Sequence, residues 1–176
     1  IGLAGGTAVL LRDPLALLSL ALDGPSAIDC VMNVPSVLAS AMLPPSIRSV
    51  DSGGEALTQV VIDNVPEGGK LYNGYGPTET TIYAISKLVK PGNKGLGLGF
   101  PLPNVTCYVV APDAPPGAPA ALQPIGVWGE LWLGGVQVAR GYLNRPELTA
   151  EKFIANPWPE TDPSGRGVVY RTGDRV

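Results

Sequence analysis

The chain has no histidine, so any chemistry must come from carboxylates, hydroxyls and aromatic rings placed beside glycine turns. That absence rules out a Ser-His or Cys-His catalytic pair, or a His-ligated metal, built from this chain alone. The densest cluster of usable groups is YNGYGPTETT at 72–81. Gly76-Pro77 fixes a turn, and Tyr75 offers a flat face on which a base could stack. Thr78 brings a hydroxyl donor for a phosphate oxygen. Glu79 brings a hard oxygen of the kind Mg²⁺ takes beside phosphate oxygens and water. Each piece taken singly is as often an ordinary turn as a site.

Three further segments carry similar double readings. In SVDSGGEAL (49–57) two glycines between strand and helix let a ligand lie against the backbone, or simply make a tight strand-to-helix turn. In GELWLGGVQVARGYLNRPELTAEKF (129–153), Glu130, Arg140 and Arg145 read as structural or surface charges ahead of catalytic ones, and LTAEKF as a capped helix. YRTGDRV (170–176) sets a carboxylate after a Gly turn at a strand end, a position from which an acid can accept from two ribose hydroxyls. GLGLGF (95–100) imitates a dinucleotide fingerprint, but its third glycine is misplaced and no helix follows, so it reads as a loop.

The elements that must position these groups change character along the chain. Asp13-Pro14 predicts a helix over about 14–22. AIDCVMNV (27–34) reads as a buried strand and PSVLASAML (35–43) as a helix. IRSVDSGGEAL (47–57) reads as a strand and turn, ALTQVVIDNV (56–65) as a helix, and KLYNGYG (70–76) as a strand. Such alternation predicts a parallel sheet covered by helices. Beyond about residue 90, VTCYVVAP (105–112) and GELWLGG (129–135) alternate as half-exposed strands, and VVYRTGD (168–174) reads as a final strand ending at a Gly-Asp turn. They are joined by a breaker-rich loop at 112–126 and a short helix at 145–153, so the second half predicts an antiparallel β subdomain.

Bulk composition bounds the rest. At 176 residues, 45% hydrophobic and 15% charged, the chain can bury a core, and its 23 Gly and 19 Pro are scattered as turns. A net charge of −3 gives no basic footprint for nucleic acid. Cys30 and Cys107 form no CxxC, which argues against a zinc site or disulfide framework and makes a reducing cytoplasm the default. The longest apolar runs, such as LALLSLAL (15–22), fall short of the ~20 residues that span a bilayer. Ile1 begins in mid-pattern, which reads as a chain cut from something longer.

Taken in order, SGGEAL, YNGYGPTETT, GELWLGGVQVARGYLNRPELTAEKF and YRTGDRV resemble the core motifs of nonribosomal peptide synthetase adenylation domains, within the adenylate-forming superfamily. The resemblance implies an α/β fold: an internal fragment of the large N-terminal domain, with a parallel sheet and helices over 1–90, a β-rich barrel-like subdomain over 91–176, and ATP at their junction. It implies that Tyr75 stacks on adenine, with Asn73 near the exocyclic amine and Gly74 alongside. Gly53 and Gly54 would pack against nucleotide and substrate, Thr78 would touch the α-phosphate, Glu79 would help hold Mg²⁺, and Asp174 would bind the ribose. The amino-acid pocket would be lined by Asn33, Asp51, Gly53, Gly74, Ile82 and Tyr83. Asn33 and Asp51 in a desolvated cleft would then want a polar or cationic substrate side chain, unless Asp51 pairs with a protein group beyond this sequence.

The implied reaction makes an aminoacyl-adenylate from ATP and an amino acid. The acyl group then passes to the phosphopantetheine thiol of a carrier domain, with condensation domains in the same assembly line and neither nucleic acid nor membrane as partner. Acyl- or aryl-CoA ligation is the alternative within the superfamily, and a non-catalytic nucleotide-binding remnant the alternative outside enzymes. Some family features have no counterpart here: the phosphate-binding loop and the α-amino-binding aspartate would precede residue 1, and the hinge and C-terminal lysine would follow Val176. The isolated chain is therefore expected to be inactive. Phe100 also stands where the family usually has Arg.

Overall fold

A computed structural model describes residues 28–90, 97–112, 119–162 and 164–176; the helix expected near 14–22 lies outside them. The described residues fall into two compact units, divided between Asn73 and Gly74, between Lys87 and Leu88, and between Leu96 and Gly97. Among the described residues, no helix is long and apolar enough to cross a membrane.

In the first unit, strand β1 (Cys30–Asn33) pairs in parallel with β2 (Ser49–Gly53), with Val31 beside Val50 and Asn33 beside Ser52. Parallel neighbours need a crossover, and α1 (Pro35–Ser40) supplies it. Pro35 sits in its first turn, where the missing N–H costs nothing. Glu55 of the SGGEAL segment accepts from the Ser36 N–H and hydroxyl, both at 3.0 Å, tying the start of α1 to the chain after β2. Its other end is closed early: the Asn64 amide donates to the carbonyls of Leu38, Ala39 and Ala41 at 3.1–3.2 Å. The helix therefore stops at Ser40 instead of running to 43. Helix α2 (Gln59–Asp63) is also shorter than its pattern at both ends, starting after the extended Thr58 and capped by Asn64. Strand β3 (Lys70–Tyr75) follows, and its first four residues belong to this unit. The core here is Leu38, Val50 and Val61, all fully buried, with Val31, Ile47 and Leu71 around them.

In the second unit, the end of β3 leads through a 3₁₀ turn (Thr78–Thr80) to β4 (Ile85–Val89), an element the sequence reading did not separate, whose last two residues return to the first unit. β4 pairs antiparallel with β5 (Phe100–Pro101) through Ile85–Pro101 and Ser86–Phe100, and Phe100 stays 81% exposed. The four-stranded sheet of this unit is antiparallel, as expected. It is built from β6 (Val105–Val110), β7 (Glu130–Gly135), β8 (Phe153–Ala155) and β9 (Val168–Arg175) in the order β6-β7-β9-β8. Helix α3 (Pro146–Lys152) runs directly into β8. Strand β7 is buried on both faces. Leu131 and Leu133 pack with Ala84 and Ile85, while Trp132 packs with Tyr108, Val110 and Val169. GELWLGG, expected as a half-exposed alternating strand, is instead covered on both faces, because Ala84 and Ile85 pack on one side of it and residues of β6 and β9 on the other.

Candidate functional site

The YNGYGPTETT motif folds back on itself at the end of β3. Tyr75 O accepts from Ala84 N–H at 2.8 Å, closing a loop of eight residues around the 3₁₀ turn. Gly74 is required by close approach, because a Cβ there would lie 2.6 Å from the Tyr83 ring. After Thr80 the backbone is strained: Thr81 and Ile82 both have positive φ, 60° and 69°. A β-branched residue in that region is a true outlier, held by the Tyr83 N–H to Thr81 O bond (2.9 Å) of a γ-turn. Two bonds to the segment after β7 fix this strained turn. Ala139 N–H reaches Glu79 O at 2.8 Å, and the Thr81 hydroxyl reaches Gln137 O at 2.8 Å.

Thr78 is exposed on this turn and Glu79 is half-buried. The Tyr142 hydroxyl donates to Glu79 Oε1 at 2.5 Å, and the Tyr170 hydroxyl lies 3.2 Å from that of Tyr142. Burial pushes the Glu79 carboxyl up, but hydrogen bonds from Tyr142, its own backbone and Tyr170 outweigh it and leave it below its ordinary value. The acid is thus held ionised. Burial and the Glu79 carboxylate push the Tyr142 phenol well up, so it remains a neutral donor.

Asp174 arrives by a different device. The sequence reading ends a strand at the Gly-Asp turn, whereas β9 continues to Arg175 and the turn is a bulge inside it. Glu130 pairs with Arg175 and Trp132 with Arg171, so Thr172, Gly173 and Asp174 together face Leu131. A bulge re-aims side chains, and Gly173 takes the positive φ (79°) this one needs. Glu130 accepts from the Gly173 N–H at 3.1 Å, Thr172 Oγ1 from the Asp174 N–H at 3.0 Å, and Leu131 O from the Thr172 hydroxyl at 2.6 Å. Glu130 therefore has the structural role its segment suggested.

These two devices meet. The Tyr75 hydroxyl donates to Asp174 Oδ2. The Tyr170 phenol is raised by burial first, with the charges of both Glu79 and Asp174 adding to it. Tyr75 is also raised, by burial and then by Asp174. Tyr75, Glu79, Asp174, Tyr142 and Tyr170 form one polar cluster within the second unit, with Thr78 exposed beside Glu79. Among the described residues no three His, Cys, Asp or Glu gather to cage a metal. A single ionised carboxylate with a neighbouring hydroxyl suits a Mg²⁺ that arrives on phosphate oxygens. Sequence reading missed Tyr142 and Tyr170 as partners of the acid, since no spacing signal joins residues 79 and 142.

The candidates of the first unit are less connected. Asp51 is half-buried, and burial raises its carboxyl, with only a Ser49 hydrogen bond pulling the other way. Asn33 is beside Ser52 in register and Asp51 beside Met32, so strand alternation puts Asn33 and Asp51 on opposite faces. The Asn33 side-chain carbonyl closes on its neighbour, accepting from Val34 N–H at 2.9 Å. Gly53 and Asn73 are buried, and Gly54 turns with φ 86°. In the second unit, Ile82 is exposed and Tyr83 packs over Gly74.

Comparison with known proteins adds a lineage. Residues 3–143 match the family described as AMP-binding enzyme. The chain is 43% identical over 146 residues to a linear gramicidin synthase from Brevibacillus parabrevis, covering 83% of this chain and 2% of that protein. It is 34% identical over 171 residues to nonribosomal peptide synthetase 5 of Aspergillus fumigatus, covering 96% and 7%. Among solved structures, a four-domain nonribosomal peptide synthetase bound to AMP and glycine superposes with a TM-score of 0.71 at 30% identity, over 94% of this chain and 12% of that one. The chain thus spans a small part of each relative.

Proposed function

Since the chain belongs to the AMP-binding enzyme family, we propose that it forms the central part of an amino-acid-activating adenylation domain. In this reading ATP and an amino acid are the substrates. The amino-acid carboxylate attacks the α-phosphorus, giving an aminoacyl-adenylate and pyrophosphate, and the acyl group moves on to a carrier-domain phosphopantetheine thiol. The similarity to peptide synthetases supports amino-acid activation over CoA ligation or a silent remnant.

One observation carries the proposal: Asp174 is bonded to Tyr75, the residue whose carbonyl closes the loop that holds Glu79. An acid for a metal, an acid for a sugar and a ring for a base therefore share one cluster. Tyr75 stacks on the adenine, Asp174 accepts from the ribose hydroxyls, and the Thr78 hydroxyl donates to a phosphate oxygen. Glu79 would hold Mg²⁺, which when bound would neutralise phosphate charge. Catalysis of this kind rests on positioning and electrostatics and needs no protein nucleophile. For the amino acid, the half-buried Asp51, whose carboxyl burial pushes up, favours a polar or cationic side chain.

The test is amino-acid-dependent ATP–pyrophosphate exchange by the complete domain carrying this chain. Exchange that is lost in Glu79→Gln and Asp174→Asn supports the reading, and exchange indifferent to both refutes it. A preference for Leu, Val or Phe would refute the polar-substrate part alone.

A further inference from the structure

We infer that Tyr142 is a positioning residue for Glu79: its hydroxyl aims the carboxylate that takes the metal, an inference that rests on the function proposed above. Its backbone, its ring and its hydroxyl each contribute. Tyr142 is fixed at its backbone, where its N–H donates to Thr149 Oγ1 at 2.9 Å. It is also fixed at its ring, which meets Phe153 edge-on with centroids 5.4 Å apart; Phe153 in turn lies 5.0 Å from the Tyr170 ring. With backbone and ring both held, the hydroxyl has one direction left, and it points at Glu79 Oε1, 2.5 Å away, backed by Tyr170 at 3.2 Å.

Packing alone does not explain the oxygen. A phenylalanine would make the same edge contact with Phe153, so the hydroxyl contributes only what it does for Glu79 and Tyr170. The Glu79 backbone lies in the 3₁₀ turn just before the strained residues, pinned at its carbonyl by Ala139 N–H. That bond fixes where the Glu79 side chain starts, and Tyr142 fixes where it ends. The carboxylate is pre-oriented, so that a metal binds without first ordering a freely rotating side chain.

The experiment compares the complete domain with its Tyr142→Phe, Glu79→Gln and doubly substituted forms. Mn²⁺ binding is read by electron paramagnetic resonance at saturating non-hydrolysable ATP analogue, alongside melting temperature. The expected result is a loss in Mn²⁺ affinity of about tenfold for Tyr142→Phe, the scale on which partners of metal ligands act. Metal-free affinity for the analogue should be unchanged, and the substitution should have no further effect on Mn²⁺ in the Glu79→Gln background. Unchanged Mn²⁺ affinity in Tyr142→Phe, or an undiminished loss in the double variant, overturns the inference while Glu79-dependent metal binding keeps the proposed function standing. Mn²⁺ binding indifferent to Glu79→Gln overturns both.

Discussion

Two acids on neighbouring motifs have been given opposite surroundings. Glu79 sits on a turn where two phenols and its own backbone favour the charged form against burial. Asp51 sits in a parallel strand where burial dominates and one Ser49 hydrogen bond is the counterweight. A charge stabilised before any ligand arrives is ready to receive a cation. A charge that burial disfavours has an unmet need, which a substrate group can fill. The two carboxyls are thus shifted in opposite directions, Glu79 below its ordinary value and Asp51 above it.

The sharpest way to break this contrast is at Glu79. Replacing it with Gln keeps shape and removes charge. Adenylation by the complete domain should fall on the order of a hundredfold, about 2.7 kcal/mol of lost transition-state stabilisation, with thermal stability little changed. A loss in stability instead of rate would make the acid a structural group like Glu130. Next in size is Gly74→Ala, which pushes a methyl to 2.6 Å from the Tyr83 ring. Overpacking of that kind costs about 1–3 kcal/mol, visible in denaturant unfolding.

How much of this could be read in the sequence differs between the same two regions. The parallel strands and crossover helix around Asp51 follow local rules, including Pro35 in the first turn of α1 and the Gly-Gly turn after β2. Their helix ends do not, because Asn64 closes α1 from 23 or more residues away. The cluster around Glu79 is almost wholly tertiary. Its motif residues stand out by type, but the phenols that aim them lie 63 and 91 positions on, and the bulge presenting Asp174 arises from a register shift against β7. Periodicity reports which face an element buries, not which remote hydroxyl meets which acid. The same limit applies to Asn33 and Asp51: the resemblance implies that both line a pocket, and the register of β1 on β2 puts their side chains on opposite faces.

Smaller perturbations refine the comparison. Ile82→Gly should relieve a left-handed backbone cost of roughly 1–2 kcal/mol, offset by about 0.5–1 kcal/mol of extra chain entropy. Ile82 is mostly exposed and gives up little burial, so a small rise in melting temperature is expected. A fall would mean that the side chain has packing value. Asp51→Asn should have the smallest effect, and a distinctive one. The folded carboxyl titrates above its ordinary value, so the folded state binds more protons over that window and stability falls as pH rises through it. The amide should remove this fall and stabilise the protein at neutral pH. An unchanged pH profile would show that Asp51 already has a partner in the complete protein.

The most direct measurement is a crystal structure of the complete domain with Mn²⁺ and a non-hydrolysable ATP analogue, with the metal located by its anomalous signal. The metal is expected on the Glu79 carboxylate, the ribose hydroxyls of the same nucleotide on Asp174 and the adenine against Tyr75. A nucleotide that touches neither acid, or that reaches only one while its metal lies elsewhere, would contradict the shared cluster.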